Sequence, residues 1–137
     1  MPEARGQMPE KAKSYRDLKI YQKSYALAID IHKMSLSLPK YELYEMGSQI
    51  RRSAKSICLN IVEGYSRRRY KNDFIQFIIY SLASCDETKE ALNLLFDTGS
   101  LKDRNLYEDL QNRCTEIGKM LVSFIRSVES QHLSKRF

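Results

Sequence analysis

Long hydrophobic runs are missing from this sequence. Its 137 positions contain no stretch of about 18 apolar residues, so no bilayer-spanning helix is expected. The opening MPEARGQMPEKAK is polar and charged and has no apolar signal core, which makes the cytoplasm the expected location. Glycine and proline are scarce, at five and three, and no Gly-rich phosphate loop or strand pattern occurs. Three cysteines at wide spacing are an odd number and argue against a disulfide framework. Cys58, Cys85 and Cys114 form no C-x-x-C pair, so they read as small core hydrophobes and no metal site is expected. No cofactor is expected either. The only histidines are His32, among tyrosines on a helix face, and His132, near the C-terminus. Neither suggests a catalytic base.

What is present is helical periodicity. Hydrophobic residues make up 42% and charged residues 29%, the balance of a helix-rich globular chain of one domain. SYRD opens a first helix, with Ser14 as cap and Asp17 reaching back to it. One series on this helix is Leu18, Tyr21, Tyr25, Ile29 and His32, and another is Ile20, Leu27, Ile31, Met34 and Leu38. A helix apolar on two faces needs two partners, its own bundle and a neighbouring subunit. Pro39 ends it.

The second helix is predicted from about 43 to 63, on Leu43, Met46, Ile50, Ile57 and Ile61, with Gly64 as a left-handed C-terminal cap. Asn72 is placed as the cap of the third, which Gly99 ends. The first half of the third helix, FIQFIIYSLASC, is apolar nearly all round and is expected to be the most buried part of the fold. The fourth, from about 103 to 130, carries Leu106, Leu110, Cys114, Ile117, Leu121, Phe124 and Val128 in register. Gly118 inside it costs roughly 1 kcal/mol relative to Ala, which a closely approaching helix would explain. The expected architecture is all-α: an antiparallel up-down-up-down four-helix bundle over 14–130, with a flexible tail at 1–13 and a frayed one at 131–137.

Charge is concentrated in one place. The formal net charge is +6, and the segment from Arg51 to Lys71 carries all of it, with seven basic residues and only Glu63 as an acid. Arg51, Arg52 and Lys55 lie on the second helix, and Arg67, Arg68, Arg69 and Lys71 follow it. Tyr65 and Tyr70 flank the triple arginine. Arginine grips phosphate bidentately and tyrosine offers a stacking plane for unpaired bases, a combination suited to RNA or single-stranded nucleic acid. The competing reading is a solvated loop, or one that meets an acidic protein.

A polar stripe, Gln49, Arg52, Ser56, Asn60 and Glu63, runs beside the apolar seam of the same helix. It reads first as a buried hydrogen-bond network that fixes register, with Glu63 able to pair with Arg67, and second as the lining of a pocket or oligomer channel. The acids Asp86, Glu87 and Glu90, with Lys89 among them, and the pair Glu108 and Asp109 read as solvated helix faces. With no assembled acid, base, nucleophile or metal set, no catalytic residue is assigned and no enzyme is expected.

Particular blocks resemble a known family. The run Ser48, Gln49, Ile50, Arg51, Arg52, then Ser56, Ile57, Asn60, Ile61, Glu63 and Gly64, has the form S-Q-I-R-R-x-x-x-S-I-x-x-N-I-x-E-G. Arg16, Asp17, Leu18, Tyr21, Gln22 and Lys23 match an opening R-D-L-x-x-Y/W-Q-K, and Glu116, Ile117, Lys119, Met120 and Leu121 match E-I-x-K-M-L. These resemble the four-helix-bundle proteins encoded by intervening sequences of bacterial 23S rRNA genes. Tyr21, where Trp is common, and Val62, where a small residue is common, are mild departures.

The resemblance implies an antiparallel bundle and assembly as a ring-like homopentamer through the second apolar face of the first helix. A distant branch comprises accessory variability determinants of diversity-generating retroelements, which are basic, bind nucleic acid and associate with a reverse transcriptase. For most of the family no activity is established, and a fold alone conveys none. The expectation is a non-enzymatic, oligomeric RNA-binding accessory protein. The alternative is a protein-interaction scaffold, such as a reverse-transcriptase accessory subunit. No membrane partner is expected.

Overall fold

A computed structural model describes residues 14–131. The expectations for 1–13 and for 132–137, His132 included, lie outside the described residues. Four helices, α1 (Lys19–Leu36), α2 (Met46–Ser66), α3 (Lys71–Asp97) and α4 (Arg104–Gln131), pack as an all-α bundle, with no strand among the described residues. Each helix packs on the next, and α1 also meets α4.

The seams predicted from periodicity form the core. Leu27, Ile31, Ile50, Ile57, Ile61, Phe74, Ile78, Leu92, Leu95, Leu110 and Leu121 are fully buried. Phe74 and Phe124 meet edge to face with centroids 5.7 Å apart, the geometry that aromatic quadrupoles favour. Burial of each such side chain contributes about 1.5–3 kcal/mol.

Helix ends depart from expectation. Ser14 Oγ accepts from the Arg16 amide at 2.9 Å, and the Ser14 amide donates to Asp17 at 3.3 Å, as a capping box should. That box closes only a 3-10 turn, Tyr15–Asp17. Leu18 is extended, its side chain is drawn into the core, and α1 starts afresh at Lys19. Residues 40–42 form another 3-10 turn, so α2 begins later than predicted, with the Leu43 carbonyl held by Arg51 instead of by a helical amide. Tyr70, not Asn72, precedes α3, and Asn72 lies within its first turn. Gly99 does end α3's turn in the left-handed region, at φ 84°.

Two glycines invert their expected roles. Gly64 is no cap: α2 continues through it, and a Cβ there would stand 3.2 Å from Phe77 Cβ and 3.3 Å from the Phe74 carbonyl oxygen. The missing side chain lets α2 lie close against α3. Gly118, expected at a close approach, has nothing nearer than 4.0 Å to a built Cβ, from Cys85 Sγ and Leu82 Cδ1. The first half of α3 is also not the most buried part of the fold, because Ile79 and Tyr80 are exposed.

The interhelical polar network is not the predicted stripe. Between α2 and α3 it is formed by small hydroxyls within the seam. Ser81 Oγ donates to the Ile57 carbonyl at 2.6 Å, and the Thr88 and Ser53 hydroxyls lie 2.8 Å apart, all buried between α2 and α3. The Ser81 bond satisfies a hydroxyl whose burial would otherwise cost about 1–3 kcal/mol, whereas Ser53 and Thr88 are also satisfied by carbonyls of their own helices.

The two glycines make opposite predictions in urea denaturation. Gly64→Ala should destabilise by about 1–3 kcal/mol through overpacking on α3. Gly118→Ala should be neutral or should stabilise by up to about 1 kcal/mol, since the helix gains propensity without a clash.

Candidate nucleic-acid interface

The seven cations of the Arg51–Lys71 segment do not form one surface. Arg52 and the end of α2 at Ser66 are on the order of 20 Å apart at 1.5 Å per residue. The local partners of each cation divide the segment further.

Arg51 is half-buried and ties the fold together. One guanidinium nitrogen donates to Ser35 Oγ on α1 at 3.0 Å and the other to the Leu43 carbonyl at 2.9 Å. Arg52 is exposed and lines a cleft with Gln49, Glu42, Glu45, Leu94 and Thr98. Lys55 is exposed at the rim of a different, apolar groove.

The α2–α3 turn is built from α2's last residues. Arg67 Nη2 lies 3.3 Å from Glu63 Oε2, the pairing expected from sequence, and its guanidinium sits 4.9 Å over the Phe77 ring. Arg68 donates to the Tyr65 carbonyl at 3.0 Å and lies 4.2 Å over the Tyr65 ring. Tyr65 is itself only 5% exposed, so its ring is covered by the bundle and Arg68. That removes it as a stacking platform for a base, because both of its uses are internal. Tyr70, by contrast, is 63% exposed. Arg69 beside it is exposed, and Lys71 half-exposed, at the start of α3. The turn therefore combines two arginines held in fixed positions by aromatic rings with a solvent-facing Arg69, Tyr70 and Lys71.

The polar stripe is half-exposed, not a buried network. Gln49, Arg52 and Glu63 face solvent, Ser56 and Asn60 are half-buried, and Asn60 Nδ2 donates only to the Ser56 carbonyl one turn back, at 2.9 Å. The network that does cross between α2 and α3 uses Ser53, Ser81 and Thr88. Their signal in sequence was a small hydroxyl residue at an apolar seam position.

A second surface lies between α1 and α2. Tyr25, Ala28, Ile29, His32, Lys33, Lys55, Cys58 and Leu59 line a groove of about 360 Å³. Tyr25 is 50%, Ile29 41% and Leu59 60% exposed, so the second apolar face of the first helix is uncovered within one chain. His32 is half-buried here, and burial pushes the Cys58 thiol above its ordinary range.

The acidic sets lie where the sequence suggested. Asp86, Glu87 and Glu90 face solvent, and Glu108 and Asp109 pair with Arg104 and Arg113 on their own helix. Arg113 also reaches Asp30 on α1 at 2.7 Å, a cross-bundle tie. Among the described residues no three His, Cys, Asp or Glu side chains gather as a metal site would require. No described helix is long and apolar enough to cross a membrane.

Residues 16–123 match the 23S rRNA-intervening sequence protein family, and the chain belongs to it. It is similar to a crystal structure of a protein of unknown function from the S23 ribosomal protein family of Bacteroides thetaiotaomicron VPI-5482. The two are 32% identical over 78% of this chain and 95% of that one, with a TM-score of 0.71. No curated protein matches.

The division among the arginines predicts a division in stability. Arg51→Ala should cost about 1–3 kcal/mol, because two interelement hydrogen bonds are lost from a half-buried site. Arg69→Ala should stay within about 0.5 kcal/mol of the parent, as for ordinary surface substitutions. Parallel urea melts of the two variants check this.

Proposed function

We propose that this protein is a non-enzymatic RNA-binding accessory subunit whose interface is the α2–α3 end of the bundle. The observation that carries the reading is the exposed Arg69 and Tyr70, with half-exposed Lys71, beside Arg67 and Arg68, whose guanidinium groups are braced on Phe77 and Tyr65. Braced guanidiniums lose less freedom on meeting a phosphate, and an exposed tyrosine next to them can stack on an unpaired base. Arg51 and Tyr65 act within the fold and leave the list of contacts. Arg52 lies along the side of the bundle, within reach only of a longer ligand. The partner class is single-stranded or looped RNA, and the cytoplasm is a fitting location for it.

The antiparallel up-down-up-down order belongs to this reading, and the contacts support it. Gly64 meets Phe74, Ile57 meets Ser81 and Ser53 meets Thr88, so α3 advances as α2 recedes. Phe74 with Phe124, Cys85 with Cys114 and Asn93 with Tyr107 do the same for α3 and α4. The basic turn then shares its end of the bundle with the start of α1 and the end of α4.

Self-association into a ring, a pentamer by the family resemblance, would use the apolar groove of Tyr25, Ile29 and Leu59. Lys55 would then lie at the rim of a subunit contact rather than on RNA. Repeating the basic turn around a ring would add weak phosphate contacts into one strong attachment. The same uncovered strip favours, as the second reading, a scaffold that meets another protein, a reverse transcriptase included.

One set of experiments tests the reading. Binding of a single-stranded RNA is measured across a salt series while light scattering sizes the protein. The Arg69→Ala/Lys71→Ala pair should flatten the slope of log affinity against log salt by about 0.7 per lost phosphate contact. Tyr70→Ala should lower affinity by about 1–3 kcal/mol with the slope kept. Leu59→Asp should shift the protein to monomers with a weaker apparent affinity. Salt-independent binding, or variants that bind like the parent, would contradict the RNA assignment, and an unchanged mass for Leu59→Asp would remove the groove from assembly.

A further inference from the structure

Gly118 serves no close contact inside the chain. A Cβ built there would meet nothing nearer than 4.0 Å, and glycine is a poor helix former. Its lack of a side chain acts outward instead. Gly118 lines a groove of about 540 Å³ between α3 and α4, whose half-buried Leu82 and Val122 supply apolar surface. A longer side chain at this position would fill part of that groove.

Cations stand on both walls. Lys89 comes from α3, and Lys119 and Arg126 come from α4, about 10 Å apart along the helix at 1.5 Å per residue. None of the three makes an ion pair with another described side chain. Among the described residues, Asp86 is the one carboxylate on the lining. Outside residues 51–71 basic and acidic side chains balance in number, so the chain gives no sign of this patch. Folding segregates the charges and gathers three cations against one acid.

The groove also leads to the basic turn. Lys89 follows Lys71 by five whole turns of α3, at 3.6 residues per turn, so the two share one side of that helix. Leu82 falls between them on the same side. At the other wall, Phe124 packs on Phe74. Lys71 precedes Phe74 by less than one turn, and Arg126 follows Phe124 by less than one turn. Arg126 therefore marks the end of the groove nearest the turn, and Lys89 lies farther along it.

We propose that the α3–α4 groove carries a single-stranded RNA away from the α2–α3 turn, with phosphates on Arg126, Lys119 and Lys89 and riboses or bases over Leu82 and Val122. The proposal rests on the turn being the RNA site and adds the path of the strand. Cations in line suit a polyanion whose phosphates recur along its length, and an apolar floor accepts any base. An acidic peptide is the competing occupant, but it gains nothing from continuity with the turn. Lys71 and Lys89 are about 27 Å apart along α3, so only a strand of several nucleotides reaches both.

The test titrates oligouridylates of about 4 and about 12 nucleotides against the full chain across a salt series. The variants are Lys119→Gln/Arg126→Gln, Gly118→Leu and, as a control for net charge, Lys40→Gln/Lys102→Gln. The control removes two exposed cations from the α1–α2 and α3–α4 connections. With the parent, the longer RNA should show the steeper slope of log affinity against log salt, by about 2 for three added contacts. Lys119→Gln/Arg126→Gln should lose about 1.4 of that difference and bind the shorter RNA nearly as the parent does. Gly118→Leu should bring the longer RNA down toward the affinity of the shorter one, with its melting temperature kept. The control should retain the parent slopes.

Groove variants that bind the longer RNA like the parent, while Arg69→Ala/Lys71→Ala flattens its slope, would overturn the path and leave the turn as the RNA site. The groove would then fall to an acidic protein segment. Equal losses in the groove pair and the Lys40/Lys102 control would reduce the effect to net charge and overturn the path as well. Salt-independent binding by every variant would remove both the path and the turn.

Discussion

The contact between α2 and α3 is the constraint on which the rest depends. Gly64 lets the two helices meet with Phe74 and Phe77 packed where a side chain would have stood. Ser81 and Thr88 then bond into α2 along the same seam, at Ile57 and Ser53. Ser81 reaches the Ile57 carbonyl in one register only, so this bond fixes how α3 slides on α2, while Ser53 and Thr88 also bond carbonyls of their own helices. That register sets the geometry of the turn between them. Phe77 is the surface over which Arg67 lies, and α2's final turn places Tyr65 under Arg68. The cationic turn is therefore positioned by the α2–α3 interface.

This arrangement explains why a segment of seven cations leaves only a short stretch of solvent-facing charge. Positive charge has several uses in a helix bundle. Arg51 uses it to hold α1 and the α1–α2 connection. Arg67 and Arg68 use it against rings and a neighbouring carboxylate. Arg69 and Lys71 are left facing solvent with Tyr70 between them. Charge density along the chain locates a region of interest, and burial then assigns the charges within it.

The four helices and their core seams were legible in the sequence because apolar spacing is a repeated signal, sampled many times per helix. Capping is a single-residue signal, and there tertiary packing prevailed. Ser14 and Asp17 cap as their chemistry demands, yet Leu18 is pulled inward and breaks the helix after one turn. Gly64 fits a C-cap locally but is needed at a helix contact, which no local pattern records. The polar stripe was misplaced by a similar margin. Asn60 and Glu63 sit one helical step away from the seam, while the residues that do bond across it, Ser53 and Ser81, look like minor interruptions of apolar runs. Among the candidate binding residues, Tyr65 was indistinguishable from Tyr70 by type and spacing, and only burial separates them. The uncovered face of α1 was legible, since Tyr25 and Ile29 repeat opposite the core series.

The central claim is that RNA lies against the α2–α3 turn. Photocrosslinking of a 4-thiouridine-substituted single-stranded RNA, followed by mass-spectrometric mapping of the modified peptide, tests it most directly. An interface at this end of the bundle predicts adducts on the peptide that contains Tyr70, suppressed at high salt. Adducts confined to the Tyr25–Leu59 groove, or none at low salt, would contradict it and leave the groove, with its exposed apolar side chains, as the surface that explains the protein.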